Sequence, residues 1–253
     1  MDIDYVRETD MEKVRETAKV LLDVPVCQIP GMPFVTHPIF SCTLYPSGAD
    51  ESCVDITEDA AAMERVKADI RERIDACGSI TQIGGAVIDK KYRLLFLKLC
   101  KGYASHADIG SYLNQLWSSV ENIIGDPNVT QKDIIRLFKL ADPATLMREE
   151  DHKALAALPD TVTVYRGIRK TLLISGKRLI DGFSWSTSMD TAYWFARRFA
   201  HCQEEMGRVF QAQIRKEDIL AYFGEERGER EVVVTPQRLK NITEVPVTYR
   251  REL

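Results

Sequence analysis

The stretch TVTVYRG at residues 161–167 marks a change of pattern in this chain. It alternates β-branched residues and then ends on an arginine and a glycine, which predicts a strand with a polar end. A helix predicted from Asp190 to about Glu205 is the one long helical pattern that follows. Further short β-rich runs occupy residues 184–188, 208–214, 231–235 and 246–250. The second half of the chain is therefore predicted to be dominated by strands.

Upstream of Pro159 the sequence is patterned mainly for helices. Residues 79–101 fit either strands or buried helices, and we favour strands there. Residues 34–45 predict an extended segment that Pro38 limits to a sheet edge. Apolar residues at steps of three and four predict helices at about 11–21, 58–76, 109–123 and 130–140, with a short one after Pro143. Segregated helices and strands predict an α+β fold, and we place a domain boundary near residue 100.

Composition and charge exclude several classes of function. The 253 residues carry a formal net charge of −4, which gives no global reason to bind nucleic acid or membranes. Six scattered cysteines form no Cys-x-x-Cys pair and the histidines no His-Glu-x-x-His pattern, so we predict no metal. The acidic start predicts no secretory signal, and the apolar run 94–97 is far shorter than the about 20 residues that span a bilayer. We expect a cytoplasmic protein, or one delivered into a target cell by a signal-independent route.

Three short segments of the second half carry candidate chemistry. The first is Tyr165-Arg166-Gly167, where a guanidinium at a strand end can clamp a pyrophosphate. A following glycine lets a ligand approach the backbone closely. The alternative for Arg166 is an ordinary strand-end arginine that is solvated or paired with a carboxylate.

The second segment is FSWSTS at residues 183–188. Strand alternation would send Ser186 and Ser188 to one face and Trp185 and Thr187 to the other, so that hydroxyl groups organise a polar site. The alternative is that these residues cap the following helix, because serine and threonine are common at helix starts.

The third segment is EREVVV at residues 229–234, where two carboxylates lie two residues apart. Alternation predicts that Glu229 and Glu231 share one face. Placing Glu231 against a buried valine run costs free energy unless the carboxylate is hydrogen-bonded or functional. The alternative is a solvated hairpin turn, which explains the charged residues before Glu231 better than Glu231 itself.

In this order, within 66 residues from 166 to 231, the motifs resemble the arginine-serine-glutamate class of mono-ADP-ribosyltransferases. That class includes clostridial actin-modifying toxins, vertebrate ecto-enzymes and phage-encoded transferases. The resemblance implies an ADP-ribosyltransferase-like fold of two packed, mainly antiparallel sheets after a helical layer that begins near residue 104. It assigns residues 101–253 to a catalytic domain and leaves 1–100 as an N-terminal α/β region of unassigned role.

The resemblance also implies a role for each residue of the donor site. Arg166 would bind the phosphates of NAD, and the backbone of Gly167 would meet the nicotinamide carboxamide. Ser186 would hold the nicotinamide ribose and brace the catalytic glutamate, while Thr187 and Ser188 support the site.

Glu231 would hydrogen-bond the ribose 2′-hydroxyl and stabilise the oxocarbenium-like transition state as nicotinamide leaves. Glu229 would orient the acceptor, and a glutamate at this position accompanies arginine modification in the family. Tyr222 and Phe223 lie where the family has a substrate-recognition loop, although both fit a core equally well. The implied partner is a macromolecular acceptor, most simply an arginine of a host protein.

Other functions remain compatible with these motifs. The same site could hydrolyse NAD or modify a nucleic acid, since guanidine-like base edges can mimic arginine. A non-catalytic module that binds NAD or a partner is a further alternative. The sequence fits a phage-borne modifier, an intracellular toxin or an injected effector, and it assigns no role to Arg197 and Arg198.

Overall fold

The computed structural model describes residues 7–28, 32, 34–46, 53–119, 126–170, 179–224 and 228–249. The chain forms two compact units, Met1–Asn122 with Asp126–Leu146 and Ile123–Gly125 with Met147–Leu253. This division lies at residues 146/147, whereas we predicted a boundary near residue 100. The helices between residues 104 and 146 therefore belong to the first unit.

The first unit is mainly helical. Its strands form two small antiparallel sheets, in which β1 (Cys27–Gln28) pairs with β2 (Val35–Thr36), and β3 (Leu44–Pro46) pairs with β4 (Cys53–Asp55). Residues 34–45 thus contribute only short strand segments instead of one extended strand. The helices are α1 (Met11–Leu22), α2 (Ala60–Ala76), α3 (Ile80–Ala86), α4 (Arg93–Cys100), α5 (His106–Trp117), α6 (Gln131–Leu140) and α7 (Pro143–Leu146).

The strands that we favoured at residues 79–101 are wrong, because this segment forms α3 and α4. Ser79 starts α3 by accepting a hydrogen bond from the backbone N–H of Gln82 at 3.2 Å. Ile83 of α3 and Phe96 of α4 are fully buried. An apolar run of this kind is compatible with either a helix or a strand, so its periodicity does not distinguish the two.

The other helix predictions for this unit are confirmed within a few residues. Thr130 and Asp133 form a reciprocal capping box that opens α6. The predicted helix at 109–123 begins earlier, at His106, and its observed part ends at Trp117. Its last predicted residues, 120–123, lie outside the described residues. Among the described helices, none is long and apolar enough to cross a bilayer.

The second unit holds most of the strands and the candidate site. Two helices of this unit are α8 (Glu149–Ala157) and α9 (Met189–Arg197). The strands β5 (Thr161–Ile168), β6 (Ser184–Ser186), β7 (Arg208–Arg215), β8 (Ile219–Phe223), β9 (Glu231–Val234) and β10 (Lys240–Val245) form one antiparallel sheet. The order across the sheet is β10-β7-β5-β6-β9-β8. The α+β class with antiparallel strands is thereby confirmed.

This sheet is continuous, although we predicted two. Its halves β10-β7-β5 and β6-β9-β8 are joined by a single residue pair, Tyr165 opposite Ser186. By contrast, β5 and β7 pair along eight residues. The two halves of the sheet therefore meet at this one pair. Its residues belong to two of the predicted motifs, Tyr165-Arg166-Gly167 and residues 183–188.

Two boundaries in this unit differ from prediction. The helix expected to reach Glu205 ends at Arg197, and only a short 3-10 turn follows at Gln203–Glu205. Within the described residues the last strand is Lys240–Val245, whereas we predicted residues 246–250. Strand β10 forms where the backbone pairs with β7. The β-rich composition of residues 246–250 does not determine its position.

Candidate functional site

A row of four paired residues runs from β5 across the second half of the sheet. Tyr165 lies opposite Ser186, Ser186 opposite Glu231, and Glu231 opposite Phe223. Directly opposed residues of antiparallel strands point to the same face, with Cβ atoms about 4.5–5.5 Å apart. Ser186 and Glu231 are both buried, with 6% and 8% of their surface exposed. The structure therefore brings two of the three predicted motifs side by side.

Arg166 comes one residue after this row, where the pairing of β5 with β6 stops. Its Nη1 donates a hydrogen bond to the backbone carbonyl of Ser184. The guanidinium also lies against Gly182, where a Cβ atom would be 2.3 Å from Nη2. Gly182 thus leaves the space that the guanidinium occupies, a feature that sequence inspection missed because it depends on a contact with a distant arginine.

The guanidinium and the Glu231 carboxylate interact electrostatically. Burial lowers the pKa of Arg166 to about 10, and the negative charge of Glu231 acts in the opposite direction. The residue as a whole keeps some exposed surface, but its guanidinium is desolvated. A pKa of about 10 still leaves the group charged at neutral pH. The site therefore combines a buried carboxylate with a desolvated cation.

Ser186 fixes the segment that leads into Glu231. Its hydroxyl donates to the backbone carbonyl of Glu229 at 2.7 Å and accepts from the N–H of Ser188 at 3.0 Å. The N–H of Thr187 donates to the carbonyl of Arg230 at 3.1 Å. These bonds tie the end of β6 to the start of β9, so Ser186 braces Glu231 through the backbone of the preceding residues.

Glu229 and Glu231 do not follow the strand alternation that we predicted for them. Strand β9 begins at Glu231, and Glu229 lies in the preceding turn with part of its surface exposed. Gly228 and Arg230 have positive φ angles of 62° and 46°, which an extended strand does not contain. The turn therefore leaves the Glu229 side chain partly exposed, whereas the Glu231 side chain is buried in the strand.

Ser188 is a helix cap, as the alternative interpretation predicted. Strand β6 ends at Ser186, so the faces predicted for residues 187 and 188 do not arise. The Ser188 side chain accepts a hydrogen bond from the N–H of Thr191 at 3.2 Å and begins α9. The part of Thr187 that links β6 to β9 is its backbone N–H, which donates to the carbonyl of Arg230.

Tyr222 and Phe223 belong to the core of the sheet, with 5% and 4% of their surface exposed. This agrees with the alternative that both are core residues. The edge of β8 is covered by two groups from the chain before β5. Met147 Sδ accepts from the N–H of Tyr222 at 3.3 Å, and buried Asp151 accepts from the N–H of Gly224 at 2.8 Å. Residues 225–227 lie outside the described residues.

Gly167 has a packing role that does not depend on a ligand. A Cβ atom there would lie 1.8 Å from the carbonyl oxygen of Ala192 and 2.8 Å from the backbone nitrogen of Ala196. Helix α9 therefore rests directly on β5. Such contacts with backbone atoms cannot be relieved by a side-chain rotation.

We expect Gly167→Ala to destabilise the protein by at least about 1–3 kcal/mol, the usual cost of overpacking. Chemical unfolding of the variant and the unmodified protein measures this difference. Gly85→Ala is the matched control, because a Cβ at Gly85 meets nothing within 4 Å. An unchanged stability of Gly167→Ala would contradict the packing role.

Among the described residues, no group of three or more His, Cys, Asp or Glu side chains could hold a metal ion. No known protein family, curated protein or solved structure matches the chain.

Proposed function

We propose that the protein is an NAD-dependent mono-ADP-ribosyltransferase that releases nicotinamide and transfers ADP-ribose to arginine on an acceptor protein. The observation that carries this proposal is the juxtaposition of Ser186 and Glu231 on adjacent strands, with the Arg166 charge beside them. The three residues are well separated in sequence, yet β5, β6 and β9 are neighbours in the sheet.

The chemistry requires such a carboxylate. When the bond between nicotinamide and ribose breaks, positive charge develops on the sugar, and a fixed negative group close to it lowers the barrier. Glu231 is fixed by its strand and is nearly excluded from water. A charge in a water-poor site acts more strongly than one in solvent.

Arg166 supplies the opposite charge. In this proposal its guanidinium binds the pyrophosphate of NAD, since a planar guanidinium with five N–H donors suits bidentate hydrogen bonds to phosphate oxygens. Ser186 holds the nicotinamide ribose while its hydroxyl keeps the backbone at Glu229 in place. The second unit would then be an ADP-ribosyltransferase-like fold, with its two half-sheets meeting at the donor site.

Glu229 is the proposed acceptor-orienting residue. It precedes Glu231 in the turn and is more exposed than that residue. A carboxylate can hold a guanidinium by two hydrogen bonds and help to remove its proton, whereas an amide cannot.

The direct test incubates the purified protein with NAD labelled in its adenylate part and with a cell lysate. Release of nicotinamide, together with label on protein that survives nuclease but not protease, supports the proposal. Absence of nicotinamide release at saturating NAD would refute it and would leave a non-catalytic binding module.

Glu229→Gln separates donor chemistry from acceptor chemistry. We expect this variant to lose about 100-fold or more in arginine labelling, the usual contribution of a positioned base. Nicotinamide release into water should persist, because Glu231 and Arg166 are unchanged. Chromatography of released nicotinamide and labelling of a small guanidine acceptor measure the two rates. Equal loss of both rates would show that Glu229 acts in the donor site instead.

A further inference from the structure

A basic and aromatic surface lies at the end of α9 and just beyond it. Residues Trp194, Arg197, Arg198, Phe199, Ala200 and His201 line an open depression of about 270 Å³, which we call the α9 surface. Trp194 is 46% exposed and Phe199 is 67% exposed. Two large rings exposed at one depression form an apolar patch, and exposed apolar patches rimmed by polar residues mark interaction sites.

Guanidinium groups flank both rings. The Cζ atom of Arg198 lies 5.3 Å from the ring centre of Trp194 and 4.9 Å from that of Phe199. Arg169, the residue after β5, places its Cζ atom 5.7 Å from the Phe199 ring centre. The α9 surface therefore alternates flat apolar faces with cations.

The backbone at Phe199 adds an independent observation. Its φ angle is +71°, a left-handed conformation that bulky residues rarely adopt. This strain holds an apolar ring in solvent, where the ring contributes little to stability. Unfavourable backbone conformations of this kind are retained mainly where they serve a function.

The charges around the α9 surface are mostly positive. Lys170 lies beside Arg169 in sequence, and its Nζ donates to the backbone carbonyl of Glu204. The nearby carboxylates are those of Glu204 and Glu205, and Glu205 accepts from the N–H of His201 at 2.8 Å. Against these two acids, the chain segments that form and flank the α9 surface carry four cations, Arg169, Lys170, Arg197 and Arg198. A local positive excess thus exists on a chain whose net charge is −4.

We propose that the α9 surface binds single-stranded nucleic acid. A single strand offers a regularly spaced anionic backbone for the arginines and unpaired bases that can stack on Trp194 and Phe199. A duplex hides the faces of its bases, and an acidic peptide would leave the two rings without stacking partners. The open depression of about 270 Å³ is smaller than most enclosed ligand sites, which favours a strand lying across it over a free nucleotide.

Fluorescence anisotropy of a labelled 12-nucleotide single strand tests this proposal in the absence of NAD. If about three cations contact phosphates, affinity should fall roughly 20-fold between 50 and 200 mM salt. Base stacking should also quench tryptophan emission. Of the three tryptophans, Trp117 and Trp185 are only 4% and 2% exposed, so quenching reports on Trp194.

Two variants separate binding from folding. Phe199→Gly removes the ring and relieves the left-handed strain, so affinity should fall at least about 5-fold while the thermal midpoint is unchanged or higher. Arg198→Gln should weaken binding and reduce the salt dependence. Arg238→Gln, which removes a 62% exposed arginine elsewhere in the same unit, is the control and should bind normally.

Three results would overturn the proposal. These are no binding at 50 mM salt, equal binding of a duplex, and binding of a poly-glutamate peptide as tight as that of the single strand without quenching. The last result would identify an acidic protein as the partner of the α9 surface. Because the assay contains no NAD, its outcome is independent of the proposed transferase activity.

Discussion

Replacing Glu231 by glutamine is expected to slow nicotinamide release from NAD by roughly 100- to 1000-fold. This is the usual loss when one fixed electrostatic contact to a transition state is removed. Glutamine keeps the size of the side chain and its capacity for hydrogen bonds in the row with Ser186. It removes the negative charge that would stabilise the positively charged sugar. Affinity for NAD should change little, because the lost interaction acts mainly in the transition state.

The experiment compares initial rates of nicotinamide release, NAD affinity by calorimetry and thermal unfolding for each variant. Glu244→Gln is the matched control, since Glu244 lies in β10 of the same sheet with 51% of its side chain exposed. A second variant, Glu231→Asp, keeps the charge but withdraws it by one methylene, and we expect it to be folded and slow. If Glu231→Gln binds NAD and retains the full rate, the carboxylate has no catalytic role.

The strands of the second unit were largely predictable from local patterns. The alternation in 161–167 and the valine run 231–234 are strong strand signals, and both segments are strands. The apolar run at 79–101 was not decidable in this way, since a buried helix and a buried strand have the same composition. The β-rich composition of residues 246–250 also led to a wrong position for the last strand. That position is determined by the pairing of β10 with β7.

The arrangement of the site depends on long-range pairing that no local pattern contains. That Ser186 lies opposite Glu231 follows from the register of β6 and β9. The separation of Glu229 from Glu231 follows from a positive φ angle at Arg230, a residue with no special preference for that conformation. The sequence could therefore nominate Arg166, Ser186 and Glu231, but not the bond from Arg166 to the Ser184 carbonyl.

Arg166 is expected to contribute to stability as well as to ligand binding. Arg166→Met should destabilise the protein by about 3–5 kcal/mol, the usual cost of leaving a buried charge without its partner. The variant would keep the buried Glu231 carboxylate and remove the donor that satisfies the Ser184 carbonyl. Urea unfolding followed by circular dichroism measures this loss. Arg208→Met is the control, because Arg208 lies in the neighbouring strand β7 with 58% of its side chain exposed.

A double-mutant cycle with Glu231→Gln distinguishes a structural charge pair from a simple phosphate clamp. If Arg166 and Glu231 compensate each other, the double variant should be more stable than the sum of the single losses predicts, by about 0.5–3 kcal/mol. If Arg166 serves only to hold the pyrophosphate, Arg166→Met should leave unfolding unchanged and weaken NAD binding alone. Additive losses would mean that the two charges act separately, and the electrostatic link between β5 and β9 would then play no part in positioning the carboxylate.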